Sequence, residues 1–291
     1  MSATDSMTRY RAFLGLLHGT QAAALPTARW RTLPDFLVVG AQRSGTTTLY
    51  RMLSSHPAVL FPRLTKGLHH FDVQAHRGSC WYRAGFPLRS RVERLSRDLG
   101  ERVAVGEAAP YYGFHPEAPH RIAETLPGAR AVMILRDPVT RAWSQFHHER
   151  ARGWEPLTDF TAAVEAEPAR LRGAEAVLAG RPGHHLAHQH QSYVSRGRYA
   201  EQVQRLWAAV GRDRVLLLYT DDLEQRPQPT LDRLHDFLGV SRREVEPGRW
   251  NPRSQGSIPD DAAAQVRALT ADSDSWLRRE LPSPPPWSSD P

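Results

Sequence analysis

The chain has 291 residues, 40% hydrophobic and 24% charged, with a formal net charge of +7. That supplies enough apolar material for a full core, and the basic excess points to an anionic partner (nucleic acid, nucleotide or acidic glycan) without choosing among them. The single cysteine, Cys80, excludes an intrachain disulfide framework and a cysteine metal cluster; no run approaches the roughly 18 apolar residues of a membrane span, and a reducing cytosol is the compartment expected.

Residues 1–34 read as an N-terminal arm. Arg9 and Arg11 ahead of AFLGLL, with AAA at 22–24, imitate a signal peptide, but His18 and Gln21 interrupt the apolar run and export is not expected. From Asp35 onward, short apolar runs alternate with segments of helical period. DFLVVG (35–40) precedes a helix at 46–55, RVAVGE (102–107) one at 116–126, and ARAVMILR (129–136) one at 138–152. A further helix is expected over 198–210, where Tyr199, Val203, Leu206, Trp207 and Val210 share a face; RVLLLY (214–219) then leads into a helix at 223–238. The runs are short and bounded by polar residues or glycine, as buried parallel strands are, so the pattern predicts an α/β domain with a mostly parallel sheet of about five strands between helices. This domain spans 35–281, and the proline-rich tail PSPPPWSSDP (282–291) is expected to be loosely held.

The stretch GAQRSGTTTLYRML (40–53) follows the first strand and opens the first helix. Strand, glycine loop and helix in that order form a place where backbone N–H groups and a helix N-terminus converge on an anion. Gly40, Ser44, Gly45, Thr46, Thr47 and Thr48 are the candidate contacts. A tight turn without a ligand is the plainer alternative, but two glycines and this many hydrogen-bonding side chains exceed what a turn needs. An ATPase keeps lysine where this chain has Thr46, and Arg43 places a cation inside the loop instead. The loop suits a nucleotide 5′-phosphate carrying something other than a triphosphate.

GAQRSGTTTLYRMLSSHP resembles the 5′-phosphosulfate loop of sulfotransferases that use 3′-phosphoadenosine-5′-phosphosulfate (PAPS), in the branch of heparan-sulfate and bacterial carbohydrate enzymes. Arg43, Ser44, Gly45 and Thr46 match the positions that cradle the phosphosulfate, and Arg43 would stabilise charge on the leaving phosphate. MILRDPVTRAWSQFHHE (133–149) is similar to the family's 3′-phosphate motif, with Arg136 and Ser144 at its two contact positions. GEAAPYYGFHPEAPHRI, SYVSRGRYAEQVQRL, RVLLLYTDDLEQRPQPTLDRLHDFLGV and the final PPPW extend the resemblance over about 35–287. NPRSQGSIPDDAAAQ falls where the family has a basic loop over the cofactor, making Arg253, Gln255 and Gly256 candidates. The resemblance implies a P-loop NTPase-like three-layer domain. It implies transfer of a sulfuryl group from PAPS to a hydroxyl or amine of a carbohydrate, glycolipid or other small metabolite, with PAP as product and no metal. A nucleotide kinase with a degenerate loop, and a non-catalytic protein holding PAP or a sulfated glycan, are the competing readings. Nucleic acid is disfavoured because the arginines are dispersed rather than gathered in one stripe.

One motif breaks. Family members commonly have Lys-Glu-apolar-His ahead of an Asp, with the Glu as base; here the stretch is LTKGLHHFD, so Lys66, His69, Phe71 and Asp72 fit while Gly67 replaces the carboxylate. His69, His70 and Glu107 are the substitutes, and loss of catalysis is the alternative. If the segment is extended, His69 projects to the same side as position 67, and Lys66 and His70 to the other. GHHLAHQH also brings His184, His185, His188 and His190 to spacings compatible with a metal. With no carboxylate or cysteine among them, a solvated or acceptor-facing loop is the reading preferred.

Overall fold

A computed structural model describes residues 15–180, 184–244 and 256–287. Strands β1 (Phe36–Gly40), β2 (Val59–Leu60), β3 (Ala104–Ala108), β4 (Arg130–Leu135) and β5 (Val215–Tyr219) form one sheet in the order β2-β3-β1-β4-β5. Every pairing is parallel, with Phe36 opposite Gly106 on one side and Arg130 on the other. β1 is central. The chain builds outward from it to β2 and β3, then crosses to β4 and β5, so the strand order reverses beside β1 and opens a crevice at the strands' C-terminal ends.

Both faces of the strands are apolar, as burial on two sides requires. Leu37, Val39, Val105, Met133 and Leu135 pack with Tyr82 of α2 (Gly78–Ala84), Ile122 of α4 (Ala118–Thr125), and Val203 and Leu206 of α9 (Tyr199–Val210). Alternate residues Phe36, Val38, Ala104, Val132 and Ile134 meet Leu49 and Leu53 of α1 (Thr46–Ser55), with Leu231 and Leu234 of α11 (Pro227–Leu238). A third cluster joins Phe146 of α5 (Pro138–Ala151), Phe160 of α6 (Phe160–Arg170) and Val266 of α12 (Asp260–Glu280). The start of α5 is fixed by Pro138 in its first turn and by Asp137, whose side chain accepts from the Thr140 N–H at 2.8 Å. The remaining helices are α3 (Arg89–Leu99), α7 (Ala174–Ala179), α8 (Leu186–His190) and α10 (Thr220–Gln225).

The expected helix at 223–238 is two helices, α10 and α11. Arg226 takes φ −136° and ψ 61° ahead of Pro227, because a proline disfavours helical conformation in the residue before it. The tail is not loose through residue 287: Trp287 lies beside the rings of Tyr199 and Tyr219, 6.1 and 5.7 Å away, and Tyr219 Oη donates to Ser283 O at 2.7 Å. At the other end, residues 15–24 are helical; Leu17 sits in the core, and Gln21 Nε2 donates to Trp81 O at 3.3 Å.

Candidate active site

The loop leaving β1 is held from below by one N–H and two carbonyls of its own main chain. Ala41 N–H donates to Ile134 O (2.8 Å), Thr220 Oγ1 to Ser44 O (2.7 Å), and Arg136 Nη1 to Arg43 O (3.2 Å). Arg43 (φ +69°) and Gly45 (φ +91°) are left-handed, which turns the chain sharply into α1 and leaves the helix's first N–H groups to face an anion. Arg43 then reaches across to α5: its Nε and Nη2 lie 3.1 and 2.9 Å from Ser144 Oγ, and Nη1 lies 3.4 Å from His148 Nδ1. Burial, then the Arg43 charge, pushes His148 down to about 4. Phosphate loop, Arg136 and Ser144 thus form one wall.

The cleft they line has a volume of about 990 Å³. Its opposite side comes from the segment after β2, which is not extended as expected. Ala108 N–H donates to Lys66 O at 2.6 Å and His69 sits at φ +55°, so Lys66, Gly67 and His69 all line the cleft while Leu68 and His70 turn inward. Lys66 therefore does not point away from it. Its Nζ lies 3.1 Å from Thr47 Oγ1, and desolvation, then the Arg43 charge, lowers its pKa to about 8. His70 is stacked on Tyr82 at 4.5 Å, and burial drives it down to about 4, which removes it from the cleft.

His69 is 39% exposed and Asp72 fully buried, with Nδ1 2.9 Å from Asp72 Oδ2. Asp72 Oδ1 also accepts from the Val73 N–H at 2.6 Å. Desolvation disfavours the imidazolium, but the charge and hydrogen bond of Asp72, with the charge of Glu107, outweigh it and raise the His69 pKa. That bond assigns the ring proton to Nδ1 and leaves Nε2 with the lone pair. Glu107, the carboxylate considered as an alternative base, is fully buried behind the segment and does not line the cleft.

The histidines of 184–190 do not converge. His188 is buried against Phe114 with Nδ1 2.7 Å from Tyr111 Oη, and desolvation, then Arg196, lowers it to about 2. His190 Nδ1 pairs with Glu149 Oε2 at 2.9 Å and its ring stacks on Trp154; His184 bonds Gln189, and His185 caps α8. Among the described residues, no group of three or more His, Cys, Asp or Glu could hold a metal. Gly256 lines the cleft, whereas Arg253 and Gln255 lie outside the described residues.

Sequence reasoning missed a polar chain behind the loop. Gln42 accepts from Arg196 and donates to Glu149 Oε1 at 3.2 Å, and Arg196 lies under Tyr111 and Phe114, 5.2 and 4.6 Å from their rings. Gln42 lies 107 positions from Glu149 and 154 from Arg196, so no local signal joins them.

Fold and cleft together define a three-layer α/β protein with a nucleotide-type anion loop that lacks the ATPase lysine. The chain belongs to the sulfotransferase family, whose model matches residues 34–244. It is 31% identical over 217 residues to human bifunctional heparan sulfate N-deacetylase/N-sulfotransferase 3, covering 72% of this chain and 22% of that protein. A membrane-associated sulfotransferase of Dictyostelium discoideum, kil1, is 34% identical over 115 residues, 40% of this chain and 23% of that one. The chain thus spans under a quarter of the length of these curated relatives. The crystal structure of a sulfotransferase from Alicyclobacillus acidocaldarius superposes with a TM-score of 0.63 at 27% identity, covering 85% of this chain and 95% of that one. The P-loop NTPase-like architecture expected from the sequence is the one found.

Proposed function

We propose that the protein transfers a sulfuryl group from PAPS to a hydroxyl or amine of a small-molecule or glycan acceptor. The observation that carries this is the contact of Arg43 with Ser144 beside Arg136, which joins the phosphate loop to a second phosphate-binding wall. A nucleotide with anionic groups on both its 5′ and 3′ positions fits such a site; a simple triphosphate does not need it. The N-terminus of α1, Thr46, Thr47 and Lys66 would hold the 5′-phosphosulfate; Arg43, expected from the sequence at that end, instead reaches Ser144 and would join Arg136 and Ser144 on the 3′-phosphate. PAPS supplies the activated sulfuryl group. Transfer forms an acceptor O–S or N–S bond, breaks the bond from sulfur to the 5′-phosphate oxygen, and releases the acceptor proton.

His69 is our candidate to take that proton, supported by its pairing with Asp72, which holds the ring and leaves Nε2 basic as general-base catalysis needs. Lys66, desolvated beside the loop, meets the negative charge that builds on the leaving phosphate. A kinase reading lacks support, since Thr46 stands where the lysine for the β- and γ-phosphates would be. Calorimetry tests the nucleotide: PAP is expected to bind at least about 10-fold tighter than AMP, because charge-assisted hydrogen bonds contribute roughly 1.5–3 kcal/mol each. Equal affinities would remove Arg136 and Ser144 from the site. Labelled PAPS supplied with candidate acceptors tests the transfer, and PAP binding without any turnover would favour a non-catalytic binding protein.

A further inference from the structure

Glu107, next to last in β3, is a buried carboxylate with four donors upon it. Its Oε1 accepts from the main-chain N–H groups of Leu68 (2.6 Å) and His69 (3.2 Å) and from Tyr112 Oη (2.8 Å); Oε2 accepts from Tyr82 Oη at 2.5 Å. Tyr112 Oη in turn accepts from the Phe71 N–H at 3.4 Å. Three N–H groups of the 68–71 turn are thereby fastened, directly or through one phenol, to a single side chain. The fastening matters because His69 is left-handed, a conformation that costs a residue with a side chain roughly 1–2 kcal/mol unless its surroundings impose it.

We propose that Glu107 is a positioning residue for the reaction: it holds the left-handed turn that presents His69 to the cleft while His70 is packed behind it. This rests on His69 as the base. The groups facing His69 are Asp72 and Lys66 on its own segment, Glu107 from β3, and the ring of Tyr112 at 6.3 Å. Burial pushes Glu107 up, and the hydrogen bonds from Tyr82, the Leu68 N–H and Tyr112 pull it part of the way back. In its carboxylate form, lying behind the His69 main chain, Glu107 adds its charge to that of Asp72 in favouring the imidazolium.

The test uses the full chain with Glu107→Gln, Glu107→Ala and His69→Ala. Glutamine keeps an oxygen for the two N–H groups and removes the charge, so Glu107→Gln remains informative if the alanine variant fails to fold. Three quantities are read: the His69 ring titration by NMR (assigned by its loss in His69→Ala), PAP affinity by calorimetry, and PAP release from PAPS with water as acceptor. In Glu107→Gln the His69 midpoint is expected to fall by about half a pH unit or more. PAP affinity should be unchanged and PAP release about 10- to 100-fold slower. A His69 titration and pH profile identical to those of the unmutated protein would overturn the proposal. Full activity in His69→Ala would instead sink the base reading, while leaving the titration shift as separate evidence on Glu107.

Discussion

Restoring the missing carboxylate by Gly67→Glu is expected to harm the protein rather than improve it. A Cβ at position 67 would stand 2.5 Å from Ala108 O, 3.0 Å from Ala108 C and 3.2 Å from Ala109 Cβ. The first distance is roughly 1 Å inside ordinary non-bonded separation. Ala108 cannot yield easily, because it ends a buried strand and its N–H is spent on Lys66 O. Overpacking of this kind costs about 1–3 kcal/mol, which lowers Tm by roughly 2–10 °C in a chain of this size. Gly67→Ala should already show the loss in a thermal melt. Gly67→Glu should match or exceed it without faster PAP release, since the displaced backbone carries Lys66 off Thr47 and His69 off Asp72. An unchanged Tm with higher turnover in Gly67→Glu would refute both the close approach and the substitution of His69 for the carboxylate.

Arg136→Ala is expected to weaken PAP about 10- to 100-fold by calorimetry. Because Arg136 also braces Arg43 O, AMP binding should fall too, but by less, and the difference measures the 3′-phosphate. The pH profile of kcat/KM should be a bell. His69 acts neutral, so its raised pKa puts the rising limb above 6.5; Lys66 acts charged, so its lowered pKa puts the falling limb near 8. A flat profile across pH 6 to 9 would contradict both roles. EDTA should leave activity unchanged; abolition reversed by zinc would return attention to His184, His185, His188 and His190.

The sequence carried the sheet because each of its four main strands is a short apolar run that a glycine or polar residue ends. β2 escaped notice since two residues, Val59 and Leu60, cannot display a period. α12 escaped for another reason: its buried stripe of Ala262, Ala263, Val266, Thr270, Ser273 and Leu277 is mostly small or polar and gives little contrast. The break at Pro227 was legible and overlooked. In the site, the strand–loop–helix at 36–55 is a local pattern and reads directly, but the turn at His69 is tied to Glu107, Tyr82 and Tyr112. Those residues approach it only through the fold, so an extended segment was the natural and mistaken expectation.

The parallel sheet also sets the lateral order of the chemistry. Neighbouring strands lie about 4.8 Å apart. Read across its C-terminal edge, β3 carries Glu107 behind the His69 turn, β1 runs into the loop at 41–45, β4 delivers Arg136, and β5 delivers Thr220. The groups proposed for the 5′ and 3′ ends of the donor thus stand side by side along one edge, at an interval set by backbone hydrogen bonding, while the proposed proton acceptor is held beside them through the Glu107 side chain. Loops above that edge can vary in length to suit different acceptors while the spacing between the two anionic ends of the nucleotide stays the same.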